Sequence, residues 1–172
     1  MLLSASMEGS NATKIWDLVS FISIDVCEGG VRMKYKLINE SGEKTFALIF
    51  EKGDEVITVL RTFATEQQLL ASHFRAIGAL RDLVLGFFDR DKKEYKRIPI
   101  SEQVEVLSLT GDITLQDRMP QIHAHVVVGK SDGSAYGGHL LEGHVFPTVE
   151  LVLLESPKNT WSVGSIRKQA WR

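Results

Sequence analysis

An α+β domain built on an antiparallel sheet is the fold the sequence predicts. Only the stretch "DEVITVLRTFATEQQLL" (Asp54 to Leu70) carries apolar residues at clear helical spacing. About seven other runs read as strands, rich in β-branched and aromatic residues or alternating with a period of two. The separators between those runs are too short for the crossovers that parallel strands need, and they favour hairpins. One main helix is therefore expected, with only minor helical segments besides.

The elements follow in chain order. Residues 1–32 read as an N-terminal extension set apart from the rest, small and polar at first, then apolar around Trp16, Phe21 and Ile22. The pair Gly29-Gly30 breaks the chain ahead of the first firm strand. "RMKYKLI" and "KTFALIFEK" flank the turn signal "NESGE" and predict a first hairpin. "KGD" then introduces the helix, with Asp54 as its expected N-cap and Val56, Val59, Leu60 and Phe63 as its buried stripe. "SHFRAIGALRDLVLGFFD" predicts two strands bent near Leu80 to Asp82. "KRIPI", "EQVEVLSLTGDITL", "QIHAHVVVG", "YGGHLLEGHV" and "TVELVLLES" continue the series, separated by the turn-forming "RDKKE", "LQDRMP" and "GKSDGS". The core domain spans residues 33–157, and residues 158–172 form a weakly basic tail.

A chain of 172 residues buries a core without disulfides or structural metal. Its formal net charge of −2 argues against binding nucleic acid by charge alone. "RDKKEYKR" (Arg90 to Arg97) holds five basic residues in eight and reads first as a solvated hairpin loop. A single cysteine, Cys27, excludes an intramolecular disulfide and suits a reducing compartment. With no basic n-region at its start and no long apolar run, the chain is expected to be cytoplasmic.

Four of the five histidines crowd into "QIHAHVVVGKSDGSAYGGHLLEGHVF" (Gln121 to Phe146). Alternation along a strand puts His123 and His125 on one face, while Ile122, Ala124 and Val126 form an apolar row on the other. "SDG" suits a three-residue hairpin loop with Gly133 in the left-handed conformation, which pairs Lys130 with Ser134. Counting back places His125 directly opposite His139, with His123 its diagonal neighbour. Such Cβ atoms lie about 4.5–5.5 Å apart when opposed and about 7–8 Å on the diagonal. Imidazoles at these spacings can converge on one ion, zinc being the first guess. Hydrogen-bonded histidines on a half-buried face fit the same pattern. The even-numbered Ser134, Tyr136 and His144 fall on the opposite face unless a bulge at Gly137-Gly138 resets the alternation; His73 and His144 read as structural or surface residues. A three-histidine site keeps an open position, as catalytic metals do, and Glu105 and Glu142 are the carboxylates available in neighbouring strands.

Taken in order, "FRAIGAL", "EVLSLTGDI" and the H-x-H…G-G-H hairpin closely resemble the plants-and-prokaryotes-conserved (PPC) domain. The likeness runs from about Lys34 to Ser156 and leaves the first 32 residues outside. It implies an antiparallel sheet flanked by helix, a homotrimer, and a metal, zinc by expectation, on His123, His125 and His139. In plants the domain accompanies AT-hook motifs in nuclear proteins that bind AT-rich DNA, where it serves self-association and contacts with other transcription factors. This chain has no Arg-Gly-Arg-Pro core, so the arm that reads the minor groove is missing. The plant motif Gly-Arg-Phe-Glu-Ile-Leu aligns with "EQVEVL", where only Glu105 and Leu107 are identical. The chain thus resembles a prokaryotic stand-alone member. It is expected to be a homotrimeric, metal-binding interaction or regulatory module with protein partners and a link to DNA, though direct DNA binding is doubtful. A small metal-dependent enzyme or ligand-binding protein using the histidine hairpin is the alternative.

Overall fold

In the computed structural model, residues 33–156 are described together with the short strand β1 (Ile22–Ser23). The order continues β2 (Lys34–Asn39), β3 (Lys44–Phe50), α1 (Val56–Glu66), β4 (Ala71–Asp89), β5 (Glu94–Ile100), β6 (Val104–Gln116), β7 (Met119–Gly129) and β8 (Ala135–Glu155). Every strand pairing is antiparallel, in the sheet order β1-β2-β3-β8-β7-β6-β4-β5 with an added β4–β8 pairing. That pairing closes a circuit through β4, β6, β7 and β8. The α+β antiparallel class is the one expected. Apart from β1, the extension (1–32) and the tail (158–172) lie outside the described residues.

The first hairpin forms as read, with Gly42 at φ 95° in its turn. Helix α1 buries Val56, Val59, Leu60, Phe63 and Ala64, one stripe at helical spacing that packs against β7 and β8. The Phe63 ring meets Tyr35 and Phe46 with centroids 5.1 and 5.3 Å apart. The N-cap is Glu55 rather than Asp54. Its carboxylate accepts from the amides of Ile57 and Thr58 at 3.1 and 2.8 Å. Asp54 is turned back instead, and its Oδ2 accepts from the Glu51 amide at 2.9 Å, closing the preceding turn.

Two further expectations are corrected. The run predicted as two strands is the single strand β4, 19 residues long. The bend signal marks a change of neighbour: Ala71–Leu80 pairs with β6, and Leu83–Asp89 pairs with β5. Likewise "YGGHLLEGHV" and "TVELVLLES" are one 21-residue strand, β8, that continues through Pro147. Its first part pairs with β7 and its last part with β3, while β4 lies along most of its length. A proline can sit inside such a strand where its missing N–H is not needed by a neighbour.

The end of β8 is tied to the start of β4 by the buried Glu155. Its carboxylate accepts from the amides of Leu70 and Ala71 at 2.8 and 3.4 Å, and from the Ser72 hydroxyl. The core lies between α1 and the inner face of the sheet, around Phe50, Phe74, Leu85, Leu109, Ile113, Val126 and Leu151. The outer face is left for other work.

Candidate metal centre

The β7–β8 hairpin turns as the sequence predicts. The Lys130 amide donates to the Ser134 carbonyl and the Gly133 amide to the Lys130 carbonyl, both at 2.9 Å, with Gly133 at φ 83°. Asp132 braces the loop by accepting from the Ser134 amide and hydroxyl, which holds its carboxyl below the usual range. The ladder then runs from Gly129–Ala135 to His125–His139, so the two histidines are directly opposed. Ala124, Val126 and Leu140 are buried on the core side, and the imidazoles stand on the outer face.

Each of His123, His125 and His139 offers a ring nitrogen, and the three nitrogens lie within 4.8 Å of one another. Nε2 of His123 and Nε2 of His125 are 3.2 Å apart. Tetrahedral ligands about 2.0–2.1 Å from a common ion stand about 3.3–3.4 Å from each other, so this separation suits a shared cation. The donor set fits a borderline divalent ion of the zinc type, and no carboxylate belongs to the triplet itself.

Neighbouring strands hold the rings in place. Asp112 on β6 is paired with His123, and its Oδ2 lies 3.9 Å from His123 Nδ1. A carboxylate behind the second ring nitrogen is the usual means of fixing an imidazole's orientation. The same Asp112 is paired on its other side with His73, which is exposed. On β5, Tyr95 stacks on His139 with centroids 4.7 Å apart and planes inclined by 25°. Gly86 permits this stack, since a Cβ there would lie 2.8 Å from Tyr95 Cδ1. Sequence reasoning did not single out Tyr95 or Asp112. The only signal for Asp112 was its place in "EVLSLTGDI", and for Tyr95 its place among the basic residues of the β4–β5 hairpin.

His144 lies outside the triplet, but for a different reason from the one expected. Val84 pairs with Glu142 and Leu85 with Leu140, so Leu141 is an extra residue in β8. The bulge falls there and not at Gly137-Gly138. It resets the alternation, so burial shifts from Leu140 to Gly143 and Val145. Glu142 and His144 therefore return to the outer face. His144 is engaged by Asp82, with Nδ1 2.6 Å from Oδ1, and Arg81 Nε lies 2.6 Å from Oδ2. Burial pushes the Asp82 carboxyl up, but hydrogen bonds and charge from Arg81 and His144 outweigh it and hold the carboxyl below its ordinary range. Glu105, the other carboxylate in view, pairs with Gly129 at the far end of the ladder from His125.

The fold and its histidine hairpin define the class. Residues 38–157 match the model of the Plants and Prokaryotes Conserved (PCC) domain, and the chain belongs to that family. It is similar to a plant- and prokaryote-conserved protein of Pyrococcus horikoshii, at 32% identity over 76% of this chain and 90% of that one, TM-score 0.65. A candidate DNA-binding protein of Bacteroides thetaiotaomicron gives 30% identity over 73% and 85%, TM-score 0.65. A metal-containing protein of Archaeoglobus fulgidus gives 38% over 70% and 84%, TM-score 0.62. The chain also resembles the bifunctional protein GlmU of a Synechococcus strain, 29% identical over 121 residues, but spans only 18% of its length.

Proposed function

We propose that this chain is a homotrimeric, metal-binding PPC-domain protein of the cytoplasm that acts as an interaction or regulatory module. One observation carries the metal reading: three ring nitrogens from two adjacent strands lie within 4.8 Å of one another. The metal-containing relative from Archaeoglobus fulgidus supports it. Zinc is the ion proposed, because neutral imidazoles at this spacing suit its tetrahedral preference. Among the described residues no helix is long and apolar enough to cross a membrane.

Self-association is supported by the outer face of the sheet. Ile77, Leu107 and Val127 are 59%, 55% and 43% exposed and come from β4, β6 and β7, which are adjacent. Ile77 and Leu107 line a groove of about 460 Å³ with Ala47, Ile49 and Val152, and Glu150 and Arg75 give it polar points. An apolar row of this kind on a small domain marks a contact surface. A second copy of the chain is its proposed occupant. Direct reading of DNA is no part of this proposal, since the formal charge of −2 offers little to a phosphate backbone.

Metal analysis of the purified protein beside a His123→Ala/His125→Ala variant tests the centre. The parent should carry close to one ion per chain and the variant none. Equal metal content in the two would overturn the reading.

A further inference from the structure

We propose that Glu142 is the carboxylate ligand that joins His123, His125 and His139 around a divalent cation, and that Arg97 competes with the cation for this carboxylate. The inference rests on the metal reading above. It starts from the bulge in β8. Were the alternation regular, residue 142 would share the buried side of Leu140. The extra residue Leu141 instead makes Glu142 the next outward side chain after His139, since Val84 and Gly86 are their partners on β4. That spacing along β4 is two residues, about 7 Å.

Extending the strand register also brings Glu142 to the level of the triplet. The β7–β8 ladder ends at His125–His139, and His123 lies two residues further along β7. Glu142 continues β8 in the same direction, so extending the register past the last pair, with Leu141 as the extra residue, sets it opposite His123. A two-residue offset is no obstacle to convergence here, because His123 and His125 span one and bring their Nε2 atoms to 3.2 Å. The chemistry favours it too. Three neutral imidazoles leave both charges of a divalent cation uncompensated, and a carboxylate offsets one of them.

The Glu142 carboxylate also has partners on neighbouring strands. Its Oε2 lies 3.1 Å from an Arg97 guanidinium nitrogen, and its Oε1 4.0 Å from His144 Nε2. Arg97 is opposite Gly86, which is opposite His139, so guanidinium and triplet share one row across the sheet. The Arg97 side chain is 60% exposed, and a pair this open to water is weak enough for a bound cation to displace. His144 keeps its own carboxylate, Asp82, whichever position Glu142 takes.

Titration of the metal-free full chain with Co2+, followed by visible absorption and by competition with a chelator, tests the assignment. Glu142→Gln should weaken Co2+ binding by about tenfold or more and alter the d–d bands. Arg97→Met should tighten binding several-fold, because it releases the carboxylate. Wild-type affinity and an unchanged spectrum in Glu142→Gln would overturn the inference while leaving the histidine centre standing. So would unchanged or weaker binding in Arg97→Met. A wild-type chain that takes up no Co2+ would overturn the centre itself, and this ligand with it.

Discussion

Gly111 leaves room for the backbone of His123: paired with Ala124 on one side and Phe74 on the other, a Cβ at position 111 would stand 2.3 Å from the His123 carbonyl oxygen and 2.5 Å from Phe74 Cζ. One contact is with rigid backbone and the other with a fully packed ring, so neither yields cheaply. Gly111→Ala should therefore cost about 1–3 kcal/mol or more by overpacking. It should also push His123 off its place in the triplet. Urea unfolding gives the first effect and metal content the second. A variant of parental stability with full metal would show that the strand has more room than the structure allows.

Tyr95 bears on the proposed centre through its stack on His139. Its ring lies flat against His139, 4.7 Å away, and limits how that imidazole can turn. Tyr95→Ala should weaken metal binding by about tenfold, as loss of a ligand's supporting contact does, while leaving fold stability nearly unchanged. Tyr95→Phe keeps the stacked ring and should bind as the parent does. A chelator competition series on both variants checks this. Equal weakening in both would assign the effect to the hydroxyl.

Much of this centre was legible in the sequence because hairpin geometry is local. Turn chemistry at "SDG" set the register, and the register opposed His125 to His139. The period of a strand then placed His123 on the same face. What the sequence hid were features that depend on a third strand. Nothing in "GGHLLEGH" announces that Leu141 is extra, since the bulge is defined only by how β8 pairs with β4. Tyr95 reaches His139 across β4, and only the missing side chain of Gly86 lets it through. The same holds for the fold. The helical stripe was readable from its own spacing, but the continuity of β4 and β8 was not, because a strand that changes neighbours midway carries turn-like residues without turning. The cap moved from Asp54 to Glu55 because both are acidic and only the preceding turn decides which one faces the helix.

Asp82 links stability to pH. Arg81 and His144 hold its carboxyl below the ordinary range in the folded chain. The folded form thus binds the proton less readily than the unfolded chain, whose value is about 3.9. The stabilisation is present in full above that value and is lost as the pH falls through the folded one. Asp82→Asn should lower stability at neutral pH by about 1 kcal/mol or less, because the carboxylate is 33% exposed and solvent screens the pair. The gap between parent and variant should close below about pH 4. Thermal unfolding of both proteins across that range measures it, and a gap independent of pH would remove the carboxylate as its cause.

The outer face makes the last prediction, and it separates assembly from metal. Ile77 and Leu107 are more than half exposed, so replacing either costs the single chain little. In an assembled form the same positions would be covered, and a carboxylate there would lose its water without gaining a partner. Ile77→Asp and Leu107→Asp should therefore dissociate the oligomer to single chains at micromolar protein, with melting of the isolated chain little changed. Light scattering coupled to size exclusion reads the mass directly. The three histidines of the proposed centre come from one chain, so the dissociated variants should keep their metal. An oligomer that survives both substitutions would place the interface on another face. Metal lost together with the oligomer would mean that a neighbouring chain helps to hold it.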